Sequence, residues 1–177
     1  MAGFRRFSQA ISEGDGISVI VDVHTLEQAR AAHERGAEAI MLHQALEGIA
    51  GATELPALFS GSDSPEEAAE LGADAILLAG LGEDDLPGLH ARALELGLDC
   101  VIEVRGDDEI ELVLELLDPE IFLLSGESTV AALELLPDVP AGKLAIADGR
   151  TATSDDIAEL ERAGMDAVLV GDAPPQA

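Results

Sequence analysis

Aliphatic residues along this chain gather in short unbroken runs, and between the runs apolar positions recur at three- and four-residue spacing. Eight runs predict buried strands: ISVIVDV from Ile17, AEAIMLH from Ala37, PALFS from Pro56, ADAILLA from Ala73, DCVIEVR from Asp99, EIFLLS from Glu120, KLAIAD from Lys143 and DAVLVG from Asp166. Continuous apolarity over so few residues is what a parallel strand covered on both faces requires. The intervening segments carry helix punctuation. Ser64-Pro65-Glu66-Glu67 reads as a capping box with proline at the first helical position, and Thr153 to Asp156 reads similarly. Gly36, Gly72 and Gly164 each stand just before a strand, where glycine supplies a left-handed helix stop.

Strict alternation of strand and helix implies right-handed crossovers and a parallel sheet, and eight such units can close into a (β/α)8 TIM barrel. The expectation is one minimal barrel domain spanning residues 1–177. Between residues 17 and 166 a strand-helix unit averages about 21 residues, against roughly 31 in a typical barrel of about 250. QALEGIAGATEL, after the second strand, is too short and glycine-rich for a full helix, and the chain reaches PPQA straight after the eighth strand. The eighth outer helix is therefore expected to be missing. Phe4, Phe7 and Ile11, at helical spacing, are expected to cover the gap between strands eight and one. An open doubly wound sheet is the alternative, but it uses fewer strands.

Composition narrows the function classes. The chain is 47% hydrophobic but 2% aromatic, so its core must be aliphatic. Nine Lys and Arg against 36 Asp and Glu give a formal charge of -27, which repels nucleic-acid backbones and anionic membrane surfaces. No nucleic-acid or membrane partner is expected. The single Cys100 cannot form an internal disulfide, and no apolar run is long enough for a signal peptide or a membrane span, so a cytoplasmic protein is expected, with a monomer favoured. The acidity fits a salt-rich cytoplasm or an ordinary solubilising surface equally well.

From the third strand onward the chain resembles indole-3-glycerol phosphate synthase, a phosphate-binding barrel of tryptophan biosynthesis. GADAILLAG (Gly72 to Gly80) resembles the family's fourth strand, and GLDCVIEVRGDDEIEL (Gly97 to Leu112) its fifth strand with a glutamate-bearing motif. Lys143 to Asp148 with SDDIAELERAGMDAVLVGDA is similar to the seventh and eighth strands, and GAEAIMLH from Gly36 resembles the second more weakly. The resemblance implies a carbon-carbon lyase that closes and decarboxylates an anthranilate-linked ribulose phosphate, with no cofactor and no metal.

The same resemblance implies a lysine general acid at the end of strand three and a second lysine at the end of strand one. Ser60 stands in the first place, and Val21, Asp22 or His24 in the second; the only lysine, Lys143, begins strand seven on the wrong face of the barrel. Glu103 matches the glutamate of strand five, a proton-transfer residue in the family, and Asp148 matches the glutamate of strand seven. Ser60, Glu103 and Asp148 are thus the candidate catalytic residues. Arg105, Ser125 in place of an asparagine, Gly149 and Arg150 in place of the phosphate-binding turn, and Gly171 after strand eight are the candidate substrate-binding residues. Two prolines follow where the family has a phosphate-gripping helix N-terminus. The resemblance therefore implies a barrel without synthase activity, with a small phosphorylated or anionic ligand as its possible partner. A non-catalytic binding or scaffold barrel and a carboxylate- or metal-dependent enzyme are the alternatives.

Read without the family, the strand ends offer Asp22, His24, His43, Ser60, Asp63, Glu103, Arg105, Ser125, Glu127, Asp148, Arg150 and Asp172. With so many carboxylates, pairing of Arg105 with Glu103 and of Arg150 with Asp148 is favoured over phosphate binding. Glu103 points into the barrel if Cys100, Ile102 and Val104 face the helices. Asp22, His24 and His43 could ligate a divalent metal beside Glu103 or Asp148, but no close ligand motif supports this, and solvated polar residues are the plainer reading. His33 and His90 read as helix-surface residues, Cys100 as a small core residue, Gly14 and Gly16 as a turn, and Ser62, Ser64, Thr153 and Ser154 as helix caps.

Overall fold

A computed structural model describes residues 6–13, 16–80 and 82–171. Its eight strands are β1 (Ser18–Val23), β2 (Ala39–Leu42), β3 (Ala57–Phe59), β4 (Ala75–Leu78), β5 (Asp99–Val104), β6 (Ile121–Leu124), β7 (Leu144–Asp148) and β8 (Ala167–Val170). All neighbours pair in parallel and β1 pairs β8, Ser18 opposite Ala167 and Val21 opposite Val170, so the sheet is a closed barrel. Closure rules out the open doubly wound sheet.

Seven helices follow the first seven strands: α2 (Leu26–Glu34), α3 (Ile49–Ala52), α4 (Pro65–Glu70), α5 (Leu86–Glu95), α6 (Asp107–Leu116), α7 (Thr129–Leu135) and α8 (Ser154–Ala163). The glycine-rich segment after β2 makes only the single turn of α3, as its length dictates. Among the described residues no helix follows β8; Asp172 and the prolines lie outside them, as do Phe4 and Gly14. No described helix is long and apolar enough to cross a membrane.

A tripeptide at the foot of four strands sets the register. In Gly36-Ala37-Glu38, Gly72-Ala73-Asp74, Gly97-Leu98-Asp99 and Gly164-Met165-Asp166 the glycine takes a positive φ between 79° and 96° and ends the preceding helix. The acid then accepts a backbone N–H: Glu38 from Val19 at 2.6 Å, Asp74 from Ala57 at 3.0 Å, Asp166 from Ala145 at 2.8 Å. Each satisfies a donor at the start of the preceding strand that the ladder leaves unpaired. Asp99 instead takes the N–H of Ser8 at 2.9 Å.

That contact marks a correction. Helix α1 (Arg6–Ser12) does not cover the seam between β8 and β1; it lies across the N-terminal end of the barrel. Phe7 and Ile11 are buried among the inward residues Ile20, Ala39, Val101, Ile121 and Ala167, while Arg6 reaches the Glu54 carbonyl and Asp74. Inward positions Ala39, Ala75 and Ala167 are small, and the apolar face of α1 fills the space they leave.

The Ser64 capping box is also only half formed. Ser64 Oγ accepts from the Glu67 N–H, but the Glu67 carboxylate takes the Ser62 hydroxyl at 2.6 Å rather than returning to Ser64. Thr153 with Asp156 completes the reciprocal pair, as does Thr25 with Gln28, which sequence inspection did not single out.

Candidate functional site

Alternation along each strand decides which side chains reach the C-terminal mouth. Cys100, Ile102 and Val104 pack in the layer beneath the helices, while Val101 joins the barrel interior, so Glu103 points inward as its spacing requires. The same phase brings Asp22 above Ile20, His43 above Met41, Ser60 above Leu58, Ser125 above Leu123 and Asp148 above Ile146. A cavity of about 430 Å³ opens there, floored by Met41, Leu77, Leu123 and Leu169 and rimmed by His43, Ser60, Asp63, Glu103, Arg105 and Arg150. A second cavity of about 490 Å³ lies outside the barrel wall, between β2 and the short α3, and is lined in part by Arg6 and Asp74, which pair with each other at 3.3 Å.

The mouth is organised by two linked polar chains. Ser60 Oγ lies 3.0 Å from His43 Nδ1, and His43 Nε2 lies 2.5 Å from Asp22 Oδ1. Parallel pairing sets this up: Asp22 is opposite Met41 and Val23 opposite Leu42, so the next step brings His24 beside His43. Their rings stack at 4.8 Å with planes 6° apart, the spacing of the strands that carry them. Asp22 is buried, His43 half-buried and His24 exposed.

The second chain begins at Arg150. Its Nε and Nη2 bond both Asp148 oxygens at 3.0 and 2.8 Å, and its Nη1 reaches Asp22 Oδ2 at 3.5 Å. The fork geometry matches a carboxylate in two-point contact, and the Asp148 hydrogen bonds hold the Arg150 guanidinium still more firmly in its charged form. Arg105, mostly exposed, meets Glu103 only at 3.5 Å. Both arginines thus enter ion pairs within the site.

The remaining candidates divide. The Gly149 N–H donates to the Leu169 carbonyl at 2.8 Å and is committed to the barrel; a Cβ there would meet Val168 Cγ2 at 2.4 Å, so close packing explains this glycine. Gly171 is partly exposed at the end of β8, with open space about it. Ser125 Oγ is buried and has no hydrogen-bond partner among the described residues. Glu127 is exposed beyond β6.

The sequence groups Asp22, His24 and His43 and offers Ser60 apart from them; the hydrogen bond that joins Ser60 to His43 is not visible there, because the two residues meet only through strand register. Cys100 is buried, and burial beside Asp99 pushes its thiol up to about 12. A thiol so rarely ionised is a core residue, not a nucleophile.

Residues 64–175 match the family model described as indole-3-glycerol phosphate synthase. Over 175 residues the chain is 32% identical to the synthase of Geobacillus sp. (strain WCH70), covering 86% of this chain and 68% of that one. Over 117 residues it is 37% identical to the synthase of Bacillus licheniformis, covering 61% of this chain and 46% of that protein. Among solved structures, N-acetylmannosamine-6-phosphate 2-epimerase from Clostridium perfringens superposes with a TM-score of 0.72 at 18% identity, covering 90% of this chain and 88% of that one. A mandelate oxidase mutant gives 0.68 at 15% identity, over 87% of this chain and 65% of that one. At those identities the structural likeness speaks for the fold alone.

Proposed function

The chain belongs to the indole-3-glycerol phosphate synthase family, and from that premise we propose that it is a barrel without the ring-closing reaction, whose mouth serves as a small-ligand site. The observation that carries this reading is the relay at the ends of β1, β2 and β3: Asp22, His43 and Ser60 bond one another where the family's resemblance calls for two ammonium groups. Lys143, the only lysine, stands just before β7 at the far end of the barrel and pairs with Asp118 at 2.5 Å.

A positioned general acid contributes about 10²–10⁴-fold to rate, and a serine hydroxyl has neither the charge nor the acidity of an ammonium. Glu103 remains inward but has no partner acid across the mouth in this reading. Ligand binding is supported by the cavity of about 430 Å³ at the mouth, where apolar floor residues meet the polar groups of His43, Ser60, Glu103 and Arg105. An anionic or phosphorylated ligand would meet Arg105 first, and would have to draw Arg150 from Asp148 and Asp22 to gain the second cation. A cytoplasmic location belongs to the same reading.

The test is direct assay with the family's anthranilate-linked ribulose phosphate. No indole product should form above background. Product at an ordinary synthase rate, abolished in Glu103→Gln, would overturn the proposal.

A further inference from the structure

We propose that Asp22, His24 and His43 bind one divalent transition-metal ion of the zinc class at the rim of the barrel mouth. The proposal goes beyond the loss of ring closure and does not rest on it: a metal titration and an indole assay can fail independently.

Three donors converge. His43 Nε2 and His24 Nε2 lie 2.5 Å and 3.6 Å from the same oxygen, Asp22 Oδ1, and the three potential ligand atoms all fall within 4.8 Å of one another. Zinc takes imidazole nitrogen and carboxylate oxygen at about 2.0–2.2 Å, which sets its ligand atoms roughly 3.0–3.5 Å apart. The trio is therefore within a small adjustment of a coordination shell. The stacked rings, 6° from parallel, cannot both aim at one point, so one must turn. His24 is free to do so, because its side chain is 60% exposed while His43 and Asp22 are held in place.

The groups behind the donors match what a metal site requires. A ligating histidine has its other ring nitrogen fixed by a hydrogen bond, and a ligating carboxylate is itself hydrogen-bonded. Here Ser60 Oγ sits on His43 Nδ1 at 3.0 Å, and Arg150 holds the second oxygen of Asp22 at 3.5 Å, leaving Oδ1 for the cation. A hydroxyl both donates and accepts, so Ser60 serves either tautomer of His43 and permits the Nδ1–H form that frees Nε2. The Arg150 charge is met by Asp148, so the cation does not face an uncompensated guanidinium.

The donor set selects the class of metal. Two imidazoles with one carboxylate suit zinc and its first-row neighbours, whereas magnesium and calcium take oxygen. Three protein ligands leave at least one position open toward the mouth, beside Ser60.

The test uses the full chain, freed of metal by chelator and titrated with ZnCl₂ by calorimetry in excess MgCl₂, which occupies surface carboxylates. One equivalent should bind, and Co²⁺ in its place should give a visible ligand-field spectrum. Since outer-shell partners are worth about 10–100-fold in affinity, Ser60→Ala should weaken binding by about that factor and His24→Ala by more. His33→Ala, an exposed histidine on α2, should leave it unchanged. Because His24 is exposed, its variant tests binding without threatening the fold. No zinc binding, binding of several equivalents that magnesium abolishes, or affinity unchanged in His24→Ala would each overturn the proposal and leave the trio as a metal-free relay through Ser60.

Discussion

Truncating Phe7 to alanine tests whether α1 is a structural plug. The ring is fully buried at the foot of the barrel, among Ile20, Val101 and Ile121, which project from strands on opposite sides. A closed sheet cannot collapse into the hole left behind, so Phe7→Ala should cost at the upper end of the usual range, about 3–5 kcal/mol. Seven residues are too few to hold a helix in water, so α1 depends on Phe7, Ile11 and the Arg6 and Ser8 contacts for its existence. For a chain of 177 residues each kcal/mol moves the melting temperature by about 2–4 °C, giving a fall of roughly 6–20 °C. Urea unfolding provides the measurement: a lower midpoint is required, and a smaller slope would show that α1 has detached in the native state. Val130→Ala, at a site 57% exposed on α7, is the control and should stay within about 0.5 kcal/mol. A loss below about 1 kcal/mol in Phe7→Ala, with the slope unchanged, would refute the plug.

Two further outcomes follow from charge and burial. The melting temperature should rise with KCl, because 36 acidic residues against nine basic ones leave most carboxylates unpaired, and shortening the Debye length from about 8 Å to about 3 Å relieves their repulsion; a flat or falling midpoint, beside a neutral osmolyte control, would show that the acidity carries no net electrostatic cost. The Cys100 thiol, raised to about 12 by burial and by Asp99, should resist iodoacetamide at pH 8 in the native protein and react promptly in urea; rapid native labelling would contradict its placement in the core.

The barrel was legible because its signals are local. A run such as ADAILLA is apolar whichever strands flank it, and the glycine before it ends a helix whatever lies across the sheet. The inward phase of Glu103 followed from its neighbours for the same reason. The seat of α1 was not legible: the spacing of Phe7 and Ile11 shows that one face is buried, but not against which surface. The site failed in the same way. Arg150 lies 128 residues from Asp22, and His43 lies 17 from Ser60, so only the pairing of β7 with β8 and β8 with β1, and of β2 with β3, brings them together. Gly149 has a structural reason that only the pairing of β7 with β8 reveals, since its N–H donates to Leu169 and a Cβ would meet Val168.

The pairing of β1 with β8 also imposes an order of events during synthesis. Ser18 emerges from the ribosome long before its partner Ala167, and until then β1 presents a bare edge of hydrogen-bonding groups. The first helix waits as well, because the Asp99 carboxylate that receives Ser8 lies 91 residues downstream. Nearly the whole chain must therefore be translated before either end finds its place, a high-contact-order path on which half-made barrels can adhere to one another. Acidic residues scattered through every segment keep such nascent chains apart by mutual repulsion. The charge expected to cost the finished fold stability in dilute salt thus serves the unfinished one.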